Sequence, residues 1–211
     1  VSKNLTQDLR VDVPAGEAGD WKVSRFTVDK KQADFHNLCE AIHGGRRVID
    51  PGEYTSLTFR SGIVMSDTPS EISDLLSAIY HAQGHVLIAG LGLGVVVQGC
   101  LMDGVEHYGK TVERVTVVEK SDDVIRLVAE HYREKFGERL EIVHDDIFTW
   151  KPPKGAVYGA CWLDIWSGIC TDNLKEMTKL KRRFSRRSEW IGCWSERECR
   201  YRNRQEKRRG W

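Results

Sequence analysis

Residues 85–100, HVLIAGLGLGVVVQGC, carry an apolar segment straight into three glycines at alternate positions, Gly90, Gly92 and Gly94. Glycine tolerates positive φ and lets another group approach the backbone closely, so a strand entering such a turn is suited to cradling a nucleotide. The spacing selects among nucleotides. The dinucleotide fingerprint G-x-G-x-x-G/A needs glycine or alanine at its sixth position, which here is Val95 or Val97 according to register. Neither fits, and NAD is disfavoured. Acids then recur where successive apolar runs end: Glu119 in VTVVEK, Asp145 and Asp146 in VHDD, Asp164 in CWLDIW. A carboxylate at Glu119 can accept hydrogen bonds from both ribose hydroxyls of an adenosine ligand. One acid at a strand end is commonly a helix cap. Three strands in succession ending in acid on one edge point to a binding site.

A competing signal lies at residues 104–111, where GVEHYGKT matches the phosphate-loop pattern G-x-x-x-x-G-K-[ST]. That motif works between a preceding strand and a following helix. Here a helical stretch precedes it and the strand RVTVV follows, so it reads as a chance match in a helix-to-strand loop.

These residues need elements to hold them. From residue 86 the pattern alternates: VLIA strand, VVVQGCLMDGVEHY helix, RVTVV strand, SDDVIRLVAEHYREKFG helix, LEIVH strand, AVYGACWL strand, TDNLKEMTKLKRRF helix, WIGCW strand, and SERECRYRNRQEKRR as a polar helix or tail. In the second of these helices Val124, Val128, Tyr132 and Phe136 share one face and Gly137 is the stop. Apolar strands separated by helices predict a parallel sheet covered on both faces. Before residue 82, WKVSRFTV reads as a strand, and Asp29 caps KKQADFHNLCEAI, whose Phe35, Leu38, Cys39 and Ile42 form one apolar helical face. YTSLTF and GIVMS read as a hairpin. In TPSEISDLLSAIYHA, Thr68, Pro69 and Glu71 have the spacing of a capping box, with Ile72, Leu75, Leu76 and Tyr80 as the buried stripe.

Composition sets bounds on function. With 40% apolar and 30% charged residues and no 18-residue apolar run, the chain reads as soluble and globular, without a membrane span. Its N-terminal 20 residues lack an apolar signal-peptide core and read as a flexible polar lead-in. The six cysteines are scattered, with no CxxC pair, which fits buried thiols in a reduced, cytoplasmic protein and disfavours a metal site. Charge is uneven. Residues 179–211 hold 13 Lys and Arg against four Asp and Glu, a net of +9, so the preceding 178 residues carry −8. Trp190, Trp194, Tyr201 and Trp211 interleave with those cations, as in surfaces where bases stack and phosphates pair. The basic C-terminus is therefore a candidate nucleic-acid surface, with a solvated helix face as the plainer reading.

In order and spacing, VLIAGLGLG, VTVVEKSDDVI, VHDDIFTW and CWLDIW make residues 54–195 resemble the spermidine-synthase-like branch of the class I S-adenosylmethionine (AdoMet)-dependent methyltransferases. Ile88, two residues before the first glycine, is apolar as in polyamine synthases, where most class I enzymes carry an acid. The resemblance implies a Rossmann-like α/β fold with a small N-terminal β-hairpin and helix element, binding an adenosyl ligand. It implies that Gly90, Gly92 and Gly94 pass under the ligand's amino-acid end, that Glu119 holds the ribose and that Asp145, beside Asp146, meets the adenine amino group. Asp164 falls where polyamine synthases keep a proton-accepting aspartate. They follow it with Ser/Thr-Asp-Pro, whereas Ile165-Trp166-Ser167 stands here, against a polyamine substrate.

After WIGCW there is room for a polar helix but not for the antiparallel strand pair that normally closes this sheet. The acceptor pocket is then open, built by a partner chain in a homo-oligomer, or absent. The implied organisation is a lead-in (1–20), an N-terminal element (21–81), an AdoMet-binding domain (82–195) and a basic tail (196–211). The implied activity is methyl transfer from AdoMet to an unspecified acceptor. A non-catalytic AdoMet-fold protein and an aminopropyltransferase using decarboxylated AdoMet remain alternatives.

Overall fold

The computed structural model describes residues 3–45, 47–105, 107 and 109–208. Trp211, one of the aromatic residues interleaved with the basic tail, lies outside them, as do Glu106 and Tyr108 of the 104–111 motif. Two sheets organise the chain. The first is antiparallel, in the order β1 (Gly16–Ala18), β2 (Trp21–Val28), β3 (Gly52–Phe59), β4 (Gly62–Ser66). The second has β5 (Gly84–Ala89), β6 (Val112–Glu119), β7 (Leu140–His144), β8 (Tyr158–Leu163) and β9 (Ser188–Cys193), ordered β7-β6-β5-β8-β9 with every pairing parallel. This is a Rossmann-like α/β arrangement, and its strand order reverses between β5 and β8. Ligands of open parallel sheets bind in the crevice beyond the carboxyl ends at such a reversal.

Alternation explains why both faces are covered. Val86 and Ile88 of β5 join one core with α3 (Pro69–His81), α4 (Val95–Leu101) and α5 (Asp122–Phe136), after α1 (Lys3–Asp8) and α2 (Lys30–Ile42) earlier in the chain. Leu87 and Ala89 join the opposite core with Met177, Leu180 and Phe184 of α6 (Asn173–Phe184) and Cys199 of α7 (Glu196–Arg208). α5 follows its sequence closely. Ser121 accepts from Val124 N at the start, Val124, Val128 and Tyr132 are buried, and Gly137 with φ +54° ends it.

Four sequence expectations change. The flexible lead-in is not one over residues 9–13: Leu9, Val11 and Val13 are fully buried, and Asp67 joins them to the sheet by accepting from Val11 N (3.1 Å) and Thr55 N (2.6 Å). A short apolar alternation hidden in polar sequence does this. The apolar face of α2 is not core. Phe35, Leu38 and Ile42 are 69%, 58% and 70% exposed, because the helix is held through its polar side, where Asn37 exchanges hydrogen bonds with the Ile49 backbone. Phe35→Ser is therefore expected to shift unfolding free energy by no more than about 0.5 kcal/mol in urea denaturation; a loss above about 2 kcal/mol would show that the face is covered. The capping box at Thr68 does not close. The Thr68 side chain makes no cap bond, and Glu71 accepts instead from Ser66 N at 2.6 Å. Finally, α4 stops at Leu101, seven residues before the end of the stretch read as helix.

Of the six thiols, Cys100, Cys161, Cys193 and Cys199 are buried, Cys39 is half-buried and Cys170 is exposed; none is in a disulfide. No helix among the described residues is long and apolar enough to cross a membrane.

Candidate functional site

A cavity of 450 Å³ opens at the carboxyl ends of β5, β6, β7 and β8, within the range of small-molecule sites. Its floor includes Gly90, Gly92, Glu119, Asp145, Asp146 and Asp164, so six of the seven residues singled out in the sequence converge on one space. Its other side comes from the N-terminal element, through Trp21, Val64, Met65 and Glu71. Gly94 does not line it.

The glycine turn serves the protein before it serves any ligand. All three glycines have positive φ, +93°, +52° and +77°, as the turn requires. A Cβ on Gly90 would sit 2.0 Å from the Asp164 carbonyl oxygen, one on Gly92 2.7 Å from Met65 Sδ, and one on Gly94 2.0 Å from the Tyr132 ring. The space a side chain would need at these glycines is thus taken by the backbone just after β8, by Met65 of β4 and by Tyr132 of α5.

Glu119 closes the turn from the next strand. Its Oε2 accepts from Leu91 N and its Oε1 from Ser121 N, both at 2.7 Å. A carboxylate has about four acceptor positions, so each oxygen keeps capacity for a further donor. Asp145 begins where β7 ends. Its Oδ1 accepts from Asp146 N at 2.7 Å and Thr149 Oγ1 at 3.4 Å, and no donor among the described residues reaches its Oδ2. Asp146 is more fully engaged, pairing with Lys120 Nζ at 2.8 Å and accepting from Phe148 N at 2.9 Å. The bond from Lys120 holds its carboxyl below the usual range. His144 bonds the Lys120 carbonyl at 3.1 Å outside the cavity wall.

Asp164 is the electrostatic centre. Burial pushes its carboxyl up to about 7; the Trp162 indole N–H beside it pulls the other way, and the Glu71 and Asp74 carboxylates raise it further. Among the described residues no acceptor completes a hydrogen bond with Trp162 Nε1, leaving a buried donor on a residue of the cavity wall. Trp162 is both core and wall, stacked on Trp190, while Trp166 also lines the space and donates to Glu176 at 2.8 Å. Sequence reasoning missed Glu71, Met65, Trp21 and Trp194 as wall residues. The only signal available for Glu71 was its place in the α3 cap, which hid its second position beside Asp164.

The basic tail is not the aromatic surface its sequence suggested. Trp190 stacks on His81 with centroids 4.5 Å apart, and Trp194 packs on the core and the cavity, so neither ring is free. Tyr201 is 57% exposed.

No protein-family model matches this chain, and no curated protein matches it. Solved structures do. The CcbJ methyltransferase from Streptomyces caelestis is 19% identical, covering 53% of this chain and 43% of that one with a TM-score of 0.38. An S-adenosylmethionine-dependent methyltransferase from Clostridium acetobutylicum is 12% identical over 56% and 43%, also with a TM-score of 0.38. A dimethyladenosine transferase from Plasmodium falciparum is 16% identical over 51% and 36%, with a TM-score of 0.37. The chain spans less than half the length of each.

Proposed function

We propose that the cavity binds AdoMet and that the chain transfers its methyl group to a nitrogen or oxygen nucleophile, with Asp164 as the base. The observation that supports this most is the convergence of Glu119, Asp145 and Asp164, from three different strand ends, on one cavity at the reversal in strand order. Glu119 has acceptor capacity for ribose hydroxyls, and Asp145 Oδ2 for an adenine amino group. Trp162 Nε1 offers a buried donor, and the glycine turn shapes the floor. AdoMet supplies an electrophilic methyl carbon on a sulfonium centre.

Methyl transfer is an in-line displacement in which the protein mainly holds donor and acceptor in line. The acceptor's lone pair forms the new bond to the methyl carbon as the carbon–sulfur bond breaks, and the acceptor's proton passes to Asp164. A base is most effective when its pKa lies near the working pH, and the Asp164 carboxyl, held at about 7, meets that condition.

Calorimetric titration tests the reading. Micromolar binding of AdoMet or its demethylated product, with NAD and ATP inert, is expected; tighter binding of decarboxylated AdoMet would favour aminopropyl transfer, and no adenosyl binding would overturn both.

Asp164 makes a separate expectation in stability. Its folded-state pKa is raised from 3.8 to about 7, so the fold holds a proton that the unfolded chain has released. Stability from this group is complete below pH 4 and is lost as pH rises through about 7, by at most ~4 kcal/mol. Asp164→Asn should remove that slope and be ~2–4 kcal/mol more stable than the natural chain at pH 8, with little difference at pH 4. Urea unfolding at both values decides it; a constant gap across the range means Asp164 does not titrate there.

A further inference from the structure

The cations of α6, its exit and α7 divide into two groups. Some are committed to the fold: Arg183 donates to the Ile147 and Trp150 carbonyls, Arg187 to the Ala156 carbonyl, and Lys181 and Arg200 both pair with Glu196. Others are not. Lys175, Lys179, Arg182 and Arg186 recur at intervals of four, three and four along α6 and its exit, which places them on one helical face. All four are exposed, and among the described residues none forms a salt bridge. This row starts at the cavity. Lys179 Nζ lies 5.3 Å over the ring of Phe148, a cavity-wall residue, and Glu176, between the first two cations, bonds the wall residue Trp166.

We propose that this face of α6 is a docking track for a single strand of nucleic acid, whose phosphates it holds while one nucleotide reaches the cavity. The binding stands by itself; the delivery of an acceptor rests on the methyl-transfer reading. From Lys175 to the end of α6 at Phe184 the helix runs nine residue steps, about 13 Å, and Arg186 stands just beyond, so the four cations span a length that several successive phosphates of one strand can follow. Charge also sorts the ligand's parts. Glu71, Glu119, Asp145 and Glu176 line the cavity and repel phosphate, the one pair among the described lining charges being Lys120 with Asp146, so the backbone stays on the helix and only an uncharged base or sugar enters. A single strand is favoured over a duplex because a nucleotide must leave its stack to enter a concave site. On α7, the exposed Tyr201 stands four residues after Arg197 and three before Arg204, an arrangement suited to stacking a base between cations.

Fluorescence anisotropy with labelled 20-nucleotide RNA and DNA strands, read from 50 to 300 mM KCl, tests this. Four neutralised phosphates give a slope of log affinity against log salt of about −3. The variant Lys175→Glu/Lys179→Glu/Arg182→Glu/Arg186→Glu should bind at least ~100-fold more weakly at 100 mM, while Lys30→Glu/Lys31→Glu on α2 should bind as the natural chain does. The milder Lys175→Gln/Arg182→Gln should lower the slope by about 1.4, a reading that does not depend on the fourfold variant folding. AdoMet titrated into each variant should bind as in the natural chain. Loss of that binding in every form, the natural chain included, would sink the methyl-transfer reading and leave the track standing. Strand binding that survives charge reversal, or no binding at 50 mM KCl, overturns the track. So does cosedimentation with phosphatidylserine vesicles by a chain that leaves the 20-mers unbound, which would assign the row to a membrane surface.

Discussion

AdoMet titrated into the Glu119→Ala protein is expected to give no saturating heat, an affinity loss of at least ~100-fold. Two effects combine at this side chain. On the AdoMet reading, the ribose hydroxyls lose a charged acceptor, and hydrogen bonds to charged groups contribute about 1.5–3 kcal/mol each. The glycine turn also comes loose from β6, because Leu91 N and Ser121 N lose the carboxylate that holds them at 2.7 Å. Those two amides are left short of an acceptor beside a residue only 9% exposed, so unfolding free energy should fall by ~2–4 kcal/mol as well. Glu119→Gln separates the two effects. Its amide oxygen can keep one of the backbone bonds but has no charge to offer, so it should retain most of the stability and lose about tenfold in affinity. Binding of AdoMet to the Ala variant within threefold of the natural chain would remove Glu119 from the ligand site altogether.

What the sequence disclosed and what it hid divide along physical lines. The parallel domain was legible because burial on both faces writes continuous apolar runs, and because Gly137 marks the end of α5 by local bonding. The acids were legible because a chain leaving a parallel strand at its carboxyl end must enter the crevice, wherever the strand lies in the sheet. Long-range packing was not legible. Nothing local says that Leu9, Val11 and Val13 are anchored by Asp67, more than 50 residues away, or that the amphipathic α2 turns Phe35 and Ile42 outward. The same limit applies to Glu71. A carboxylate three residues into a helix reads as a cap, yet here it lies against Ser66 N and adds to the charge that raises Asp164. The elevated Asp164 carboxyl is therefore a joint product of the N-terminal element and the parallel sheet, and neither segment read alone contains it.

Gly94 carries a packing requirement that the glycine spacing does not reveal, and Gly94→Ala tests it. A methyl there would stand 2.0 Å from Cε2 and 2.5 Å from Cζ of Tyr132, whose ring is fully buried and whose hydroxyl donates to the Leu93 carbonyl at 2.8 Å. The ring has no easy retreat, since Phe136 stacks on it with planes 7° apart. Backbone strain at φ +77° adds about 1–3 kcal/mol, so the total loss in stability should reach ~4 kcal/mol or more. Gly44→Ala is the matched control. Its φ is +70° but nothing lies within 4 Å of the added carbon, so it should cost only about 1 kcal/mol. A double-mutant cycle assigns the remainder. With Tyr132→Ala already in place, Gly94→Ala should cost no more than the strain, and an equal cost in both backgrounds would mean the ring is not the obstacle. Because Gly94 does not line the cavity, the folded fraction of the single variant should bind AdoMet with unchanged affinity. A glycine that reads as part of a ligand cradle then has its requirement set by a tyrosine on the following helix, and its effect on binding passes entirely through the fold.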